Sequence, residues 1–235
     1  MMMGLQFYHC IKNWSPITLK TKKMSKINIF NENVAAYEAW YKKYPEVYQS
    51  EVVALKEQFL KLPENIKGIE VGIGTGRFAQ ELGIKEGVEP ANEMAALALK
   101  KGIEVINGNA ENLPIRDMYF DFVLFVTICH LNNVKRAFKE AHRILKPKGS
   151  IIIGFIDKDQ KIGKAYEENR MRSTFFRYAN FYSTVQVTKL LKETGFKDFE
   201  YNQTLFGGLD EINEVQLPKQ GFGQGSFVVV KAVKK

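Results

Sequence analysis

The chain predicts an α/β fold, a doubly wound and mostly parallel sheet, and three observations predict it. Apolar strand-like runs alternate with helical ones from Gly68 to Ile156, the order that builds a parallel sheet through right-handed crossovers. The first run, Gly68 to Val71, passes directly into Gly72, Gly74 and Gly76 and then into a helix start. Glycines there let the backbone turn tightly and approach a ligand, which the first free amides of the helix then face. Phe120 to Val126 is apolar without alternation, as a central strand covered on both faces has to be.

The elements follow in order. Asn31 to Leu62 carries apolar residues at helical spacing (Val34, Tyr37, Trp40, Tyr41, then Val47, Val52, Leu55, Phe59), broken at Pro45, so two helices form a cap ahead of the first strand. After the glycine turn a short helix reaches Leu82, and the second strand ends at Glu89. Asn92, a side chain suited to N-capping, opens a helix to Lys101, and Ile103 to Ile106 is the third strand. Asn109 to Tyr119 has no helical period and contains Pro114, which makes it a loop or a single turn. Val134 to Leu145 is a helix stopped at Lys146-Pro-Lys-Gly-Ser150, and Ser150 to Ile156 is the fifth strand. An insertion spans Asp157 to Tyr182; Ser183-Thr-Val-Gln186 then fits a capping box for a helix closed by Gly195. Phe196 to Phe206 and Ser226 to Val233 are the last strands, joined by a glycine-rich connection.

Composition narrows the class. A chain of 235 residues buries a full core as one domain without disulfides or metals, and no metal site is expected. Its two cysteines, Cys10 and Cys129, make no disulfide framework, which points to the reducing cytoplasm. No apolar run approaches the roughly 18 residues of a membrane helix, and no secretory signal opens the chain. Residues 1–30 hold five lysines and no acid, so they supply five of the eight net positive charges and leave three to the remainder. They read as a basic, disordered tail, with Met24 as a second plausible start and residues 31–235 as the folded domain. That domain is only mildly basic, which weakens nucleic acid as a partner.

Two acids bear on the ligand. Glu89, at the tip of the second strand, can accept both hydroxyls of an adenosine ribose, as an acid about 20 residues beyond such a turn does in dinucleotide sites. Glu70, inside the strand before the turn, disfavours a pyrophosphate at the helix end and suits a ligand with a positive amine. GIEVGIGTGRFA (68–79), VEPANEM (88–94), NGNAENLPIRDMYFDFVLF (107–125) and EAHRILKPKGSIIIGF (140–155) together resemble the ordered motif series of class I S-adenosylmethionine-dependent methyltransferases, in the branch of the ubiquinone/menaquinone-biosynthesis enzymes. The resemblance runs from about Asn31 onward and is densest between Gly68 and Phe155.

The resemblance implies a Rossmann-like sheet of seven strands in the order 3-2-1-4-5-7-6, the last antiparallel, and S-adenosylmethionine as cofactor. It places Glu70 near the methionine amine, Gly72, Gly74 and Gly76 as a backbone floor, and Glu89 on the ribose. Asn109, Ala110 and Glu111 stand where relatives hold the adenine with Asp-Ala-Glu; Asn109 departs from that pattern but keeps an acceptor oxygen. Tyr37 and Tyr41, at i, i+4, lie near the methionine end. Thr127 to His130 ends the fourth strand facing the reaction centre, with His130 as a base, an orienting group for the acceptor, or a cap of the next helix. Asp121 reads as structural, and Cys129 as a buried thiol and not a nucleophile.

A small-molecule acceptor is the leading expectation. The insertion's Lys158, Lys161, Lys164, Arg170, Arg172 and Arg177 suit an anionic acceptor or a solvated lid, and its aromatic residues a pocket wall. The alternatives are an RNA- or protein-modifying methyltransferase, a non-catalytic S-adenosylmethionine-binding protein and, more remotely, an NAD-dependent oxidoreductase. Against base-amine methylation, Thr127-Ile-Cys-His130 replaces an Asn/Asp-Pro-Pro-aromatic motif.

Overall fold

Three helices precede the sheet in the structure, a computed structural model that describes residues 26–235. They are α1 (Lys26–Glu32), α2 (Val34–Lys43) and α3 (Pro45–Phe59). Pro45 occupies the first turn of α3, where its missing N–H is no loss, and so divides α2 from α3. Residues 26–30 of the expected tail are helical in α1, a correction to that reading; the rest of the tail lies outside the described residues.

β1 (Gly68–Val71), α4 (Arg77–Leu82), β2 (Glu86–Val88), α5 (Asn92–Lys100), β3 (Glu104–Ile106), β4 (Phe120–Val126), α6 (Val134–Ile144) and β5 (Leu145–Ile156) alternate as expected. α7 (Lys161–Glu168) lies in the insertion, and α8 (Thr184–Glu193), β6 (Phe196–Thr204), β7 (Lys219–Gln220) and β8 (Phe227–Lys234) complete the fold. The sheet has eight strands in the order β3-β2-β1-β4-β5-β8-β6-β7. β1 to β5 pair in parallel, and β8 is antiparallel to both β5 and β6. The expected order is therefore present, with β7 as an eighth, two-residue strand on the edge beyond β6.

Successive residues of a strand point to opposite faces, and the core splits accordingly. Val123, Phe125, Ile151 and Ile153 pack with Phe138, Ala141 and Leu191 of α6 and α8. Leu124 and Ile152 face the other way, onto Val52 and Leu55 of α3 and Phe78 of α4. Each layer buries apolar surface worth about 25 cal/mol per Å².

Local chemistry fixes the ends of elements. Ser183 accepts from the Gln186 amide while the Gln186 side chain accepts from the Ser183 amide, the capping box that the sequence spells. α5 differs from expectation: Ala91 is its N-cap, and Asn92 is its first helical residue, accepting instead from Asn107 at 3.0 Å. β5 starts earlier than Ser150 because Leu145 already pairs with Phe120 across an irregularity in the ladder. Asp121 accepts from the Lys67 amide and from Lys146 Nζ, both at 2.9 Å, a structural tie between strands.

Candidate active site

A cavity opens at the carboxyl ends of the parallel strands, walled by the glycine turn, the loops after β2, β3 and β4, the three leading helices and the insertion. Glu89 organises its floor. One carboxylate oxygen accepts from the Gly74 amide at 2.8 Å and the other from the Ala91 amide at 2.9 Å, so one side chain ties the first strand's turn to the second's. A carboxylate has about four lone-pair sites, which leaves two for ligand hydroxyls. Burial pushes the Glu89 carboxyl up, and those two amides oppose the shift.

Gly72 and Gly74 line the cavity, and a Cβ built on Gly72 would meet nothing, so bare backbone faces a ligand there. Gly76 does not line it. A Cβ on Gly76 would come within 2.7 Å of Ile103 Cδ1 and 3.0 Å of Ala98 Cβ, which makes this glycine a packing requirement at the start of α4. Glu70 likewise sits outside the wall, beneath the turn, 1% exposed. The backbone amide of Ala79 bonds it, while Oε2 has no partner. Burial, with Glu89's charge nearby, holds its carboxyl well above the usual carboxylate range. Glu70 and Gly76, both expected as ligand contacts, thus stand behind the floor and not in the cavity wall.

Tyr37 and Tyr41 share a face of α2 as their spacing requires, with hydroxyls 2.9 Å apart. The Tyr37 hydroxyl lies over Gly74, 3.5 Å from where a Cβ would stand. Arg77 stacks on the Tyr41 ring at 4.6 Å and pairs with Glu38, which also accepts from Thr75 at 2.6 Å. That pair locks α2 onto the turn, a connection the sequence did not announce because its partners lie 39 residues apart.

Asn109, Ala110 and Glu111 also line the cavity. Glu111 is engaged with the backbone: it accepts from the amides of Asn132 and Asn133 at 2.7 and 3.1 Å and so holds the loop after β4. In that loop Thr127 takes the left-handed conformation, φ 64°, and starts a short 3-10 turn that carries Cys129 and His130. Asn133 caps α6 by accepting from the Arg136 amide, so His130 is not its cap. The imidazole packs between Phe30, with ring centroids 4.9 Å apart, and Phe176, stacked at 5.7 Å. Burial pulls it down to about 4. It is neutral at pH 7, and a poor proton acceptor. Burial pushes the Cys129 thiol up to about 12, which keeps it protonated and unreactive.

The roof comes from α1 and the insertion. Lys26 Nζ donates to the carbonyl of His130 at 3.2 Å and contacts that of Leu131 at 3.4 Å, and Phe30 meets Phe175 at 5.6 Å. Tyr166, Phe176 and Phe181 form one aromatic group in the wall. The insertion's basic residues do not line the cavity, and Lys161 pairs with Glu211 at 2.7 Å. An anionic acceptor loses the support those side chains were expected to give. Glu51 is one residue of this wall that sequence reasoning missed: a lone acid inside an apolar helical stripe gives no motif.

Among the described residues no three His, Cys, Asp or Glu side chains gather as a metal site, and no helix is long and apolar enough to cross a membrane. A family model described as a methyltransferase domain matches residues 69–153. An uncharacterised protein of Methanocaldococcus jannaschii is 42% identical over 209 residues, 88% of this chain and 100% of that one. A Thermotoga maritima crystal structure, described as an S-adenosylmethionine-dependent methyltransferase and possible histamine N-methyltransferase, superposes with TM-score 0.85 at 44% identity, over 89% of this chain and 100% of that one. A demethylmenaquinone methyltransferase of Chlorobaculum tepidum is 32% identical over 162 residues, 57% of this chain and 67% of that enzyme.

Proposed function

The chain belongs to the class I S-adenosylmethionine-dependent methyltransferases, and from that premise we propose that it methylates a small molecule held in the aromatic part of its cavity. The observation that carries this reading is the roof: Lys26 and Phe30 of α1 close over the loop after β4 and meet the insertion at Phe175. A covered, aromatic-walled chamber suits a small acceptor better than a polymer, which needs an open and charged track. The Thermotoga relative is described as a possible histamine N-methyltransferase, and histamine is a small amine, which supports the same class. The free Cys129 thiol supports a reducing, cytoplasmic setting.

The residues present fit the cofactor. Bare backbone at Gly72 and Gly74, with the Glu89 carboxylate fixed beside it, forms a cradle that a side chain would fill. In the proposed assignment Glu89 takes the ribose hydroxyls, Asn109 and Ala110 the adenine, and Tyr37, Tyr41 and Thr127 the methionine end. When bound, S-adenosylmethionine supplies an electrophilic methyl group on a sulfonium whose departure needs no acid. The chain's task is then to orient the acceptor and exclude water, and the apolar roof serves both ends. His130, neutral and clamped between rings, acts through shape, orienting the acceptor and not carrying its proton.

Calorimetric titration with S-adenosylhomocysteine, with NAD as control, tests the cradle: micromolar binding of the first alone is expected. Filter binding to RNA at low and raised salt tests the acceptor class, since phosphate-driven affinity falls steeply with salt. Salt-sensitive RNA binding would replace the small-molecule reading.

A further inference from the structure

α3 turns an apolar stripe toward the sheet, with Val47 1% and Leu55 0% exposed. Glu51 stands midway between them, four residues from each, where the stripe calls for an apolar side chain. It is 7% exposed and lines the cavity. It makes no hydrogen bond and no ion pair with any described residue. The helix around it is embedded in a cluster with Ile162 and Leu205, onto which Trp40, Tyr41, Tyr166 and Leu209 also pack. The titratable groups near enough to feel its charge are tyrosine hydroxyls: Tyr41 of α2, Tyr48 of α3 and Tyr166 of α7.

A carboxylate left unpaired in such surroundings is unfavourable, and packing alone would be served better by leucine or methionine. The chain's own nearby cations are already engaged. Lys26 is held by the carbonyl of His130, and Arg77 by Glu38. In the free protein the buried acid therefore holds a proton, and the cation that takes its place enters with a ligand. Aromatic faces around an acid are the combination that receives an organic ammonium, the rings by cation–π attraction and the acid by charge.

We propose that Glu51 receives the amino group of the methyl acceptor, so that the acceptor is an amine with an apolar body; this rests on the small-molecule reading above. As the ammonium enters, Glu51 releases its own proton to water; an ammonium nitrogen has no lone pair, so one N–H bond then breaks, its electron pair stays on nitrogen, and the proton goes to the Glu51 carboxylate. The freed pair forms the new C–N bond as the methyl–sulfur bond breaks and its pair returns to sulfur. The product nitrogen carries the positive charge that the sulfonium lost, and the proton on Glu51 leaves to water.

Three probes that share one body separate the possibilities: 2-phenylethylamine, 2-phenylethanol and phenylacetate, titrated calorimetrically into the protein saturated with S-adenosylhomocysteine. The amine is expected to bind at least about tenfold tighter than either of the others. Glu51→Gln keeps the shape and cannot ionise beside an ammonium; it should abolish that preference while S-adenosylhomocysteine affinity stays within about twofold. Equal or tighter binding of the alcohol or the acid overturns the proposal, as does a Glu51→Gln protein that keeps the preference, or failure of all three probes to bind. The comparison on the native protein holds even if the variant does not fold. Salt-sensitive RNA binding, measured separately, is the result that instead removes the small-molecule reading.

Discussion

Glu89 serves two structures at once, because its carboxylate is both a brace between two backbone turns and a free pair of acceptor sites. Glu89→Ala should weaken S-adenosylhomocysteine binding by about 1–3 kcal/mol, the cost of a lost charged hydrogen-bond partner; unchanged affinity in calorimetry would remove the ribose assignment. Glu51 illustrates the opposite economy. Burial raises its carboxyl from 4.5 to about 8, so across that range the folded protein keeps a proton the unfolded chain has released. Stability therefore falls as pH rises from 4.5 toward 8 and the loss is complete above it. Glu51→Gln escapes this: its advantage over the native protein should be near zero below pH 4.5 and grow to on the order of 2–4 kcal/mol above pH 8, read from urea unfolding at both ends. A pH-independent difference would mean the acid is paired or solvated. Of these two acids only Glu89 was legible in the sequence, since it ends a strand at a recognised distance from the glycine turn. Glu51 was not, because an acid in a helix reads as exposed until the surrounding fold is known. The motif gave Glu70's position in the chain but not its burial beneath the turn.

Elements were legible where their ends carry their own chemistry. The capping box at Ser183 depends on four consecutive residues, and it appears as spelled. Ser183→Ala should cost about 1 kcal/mol and loosen the first turn of α8, checked by thermal unfolding; a change within a few tenths would show that the box is redundant. Asp157, which accepts from Thr184 Oγ1 at 2.6 Å and bridges to Tyr182, ties both ends of the insertion at one point. α1 was not readable, because a short helix with no acid in its first turn and no basic residue in its last carries none of the usual end signals and gains its stability from packing on α5. β7 has two residues, too few for any period.

At the scale of the whole molecule, one cavity joins the cofactor cradle on the sheet to a roof made from helices far apart in sequence. A ligand bound only by the folded state stabilises it by RT ln(1 + [L]/Kd), about 2.7 kcal/mol at a hundredfold excess over Kd. S-adenosylhomocysteine should thus raise Tm and slow amide exchange in β1, the glycine turn and α2 together; protection confined to the turn would separate the roof from the site. The order of strands was legible only through family resemblance, since periodicity shows that strands exist but not which neighbours they choose. The roof was not, because contacts such as Phe30 with Phe175 depend on where the fold brings two distant segments.

The seating of β8 between β5 and β6 has a consequence in time. β6 precedes β8 in the chain, yet its ladder to the rest of the sheet runs entirely through β8. Until β8 arrives, β5 and β6 each present an open edge of unpaired backbone groups, the kind of surface that recruits other chains. The half of the sheet that holds the glycine cradle can assemble early from neighbours close in sequence, whereas the half that bears β6 must wait for a later segment to be threaded between two earlier ones. Folding of this enzyme accordingly has a vulnerable interval, and it closes with the docking of a single strand.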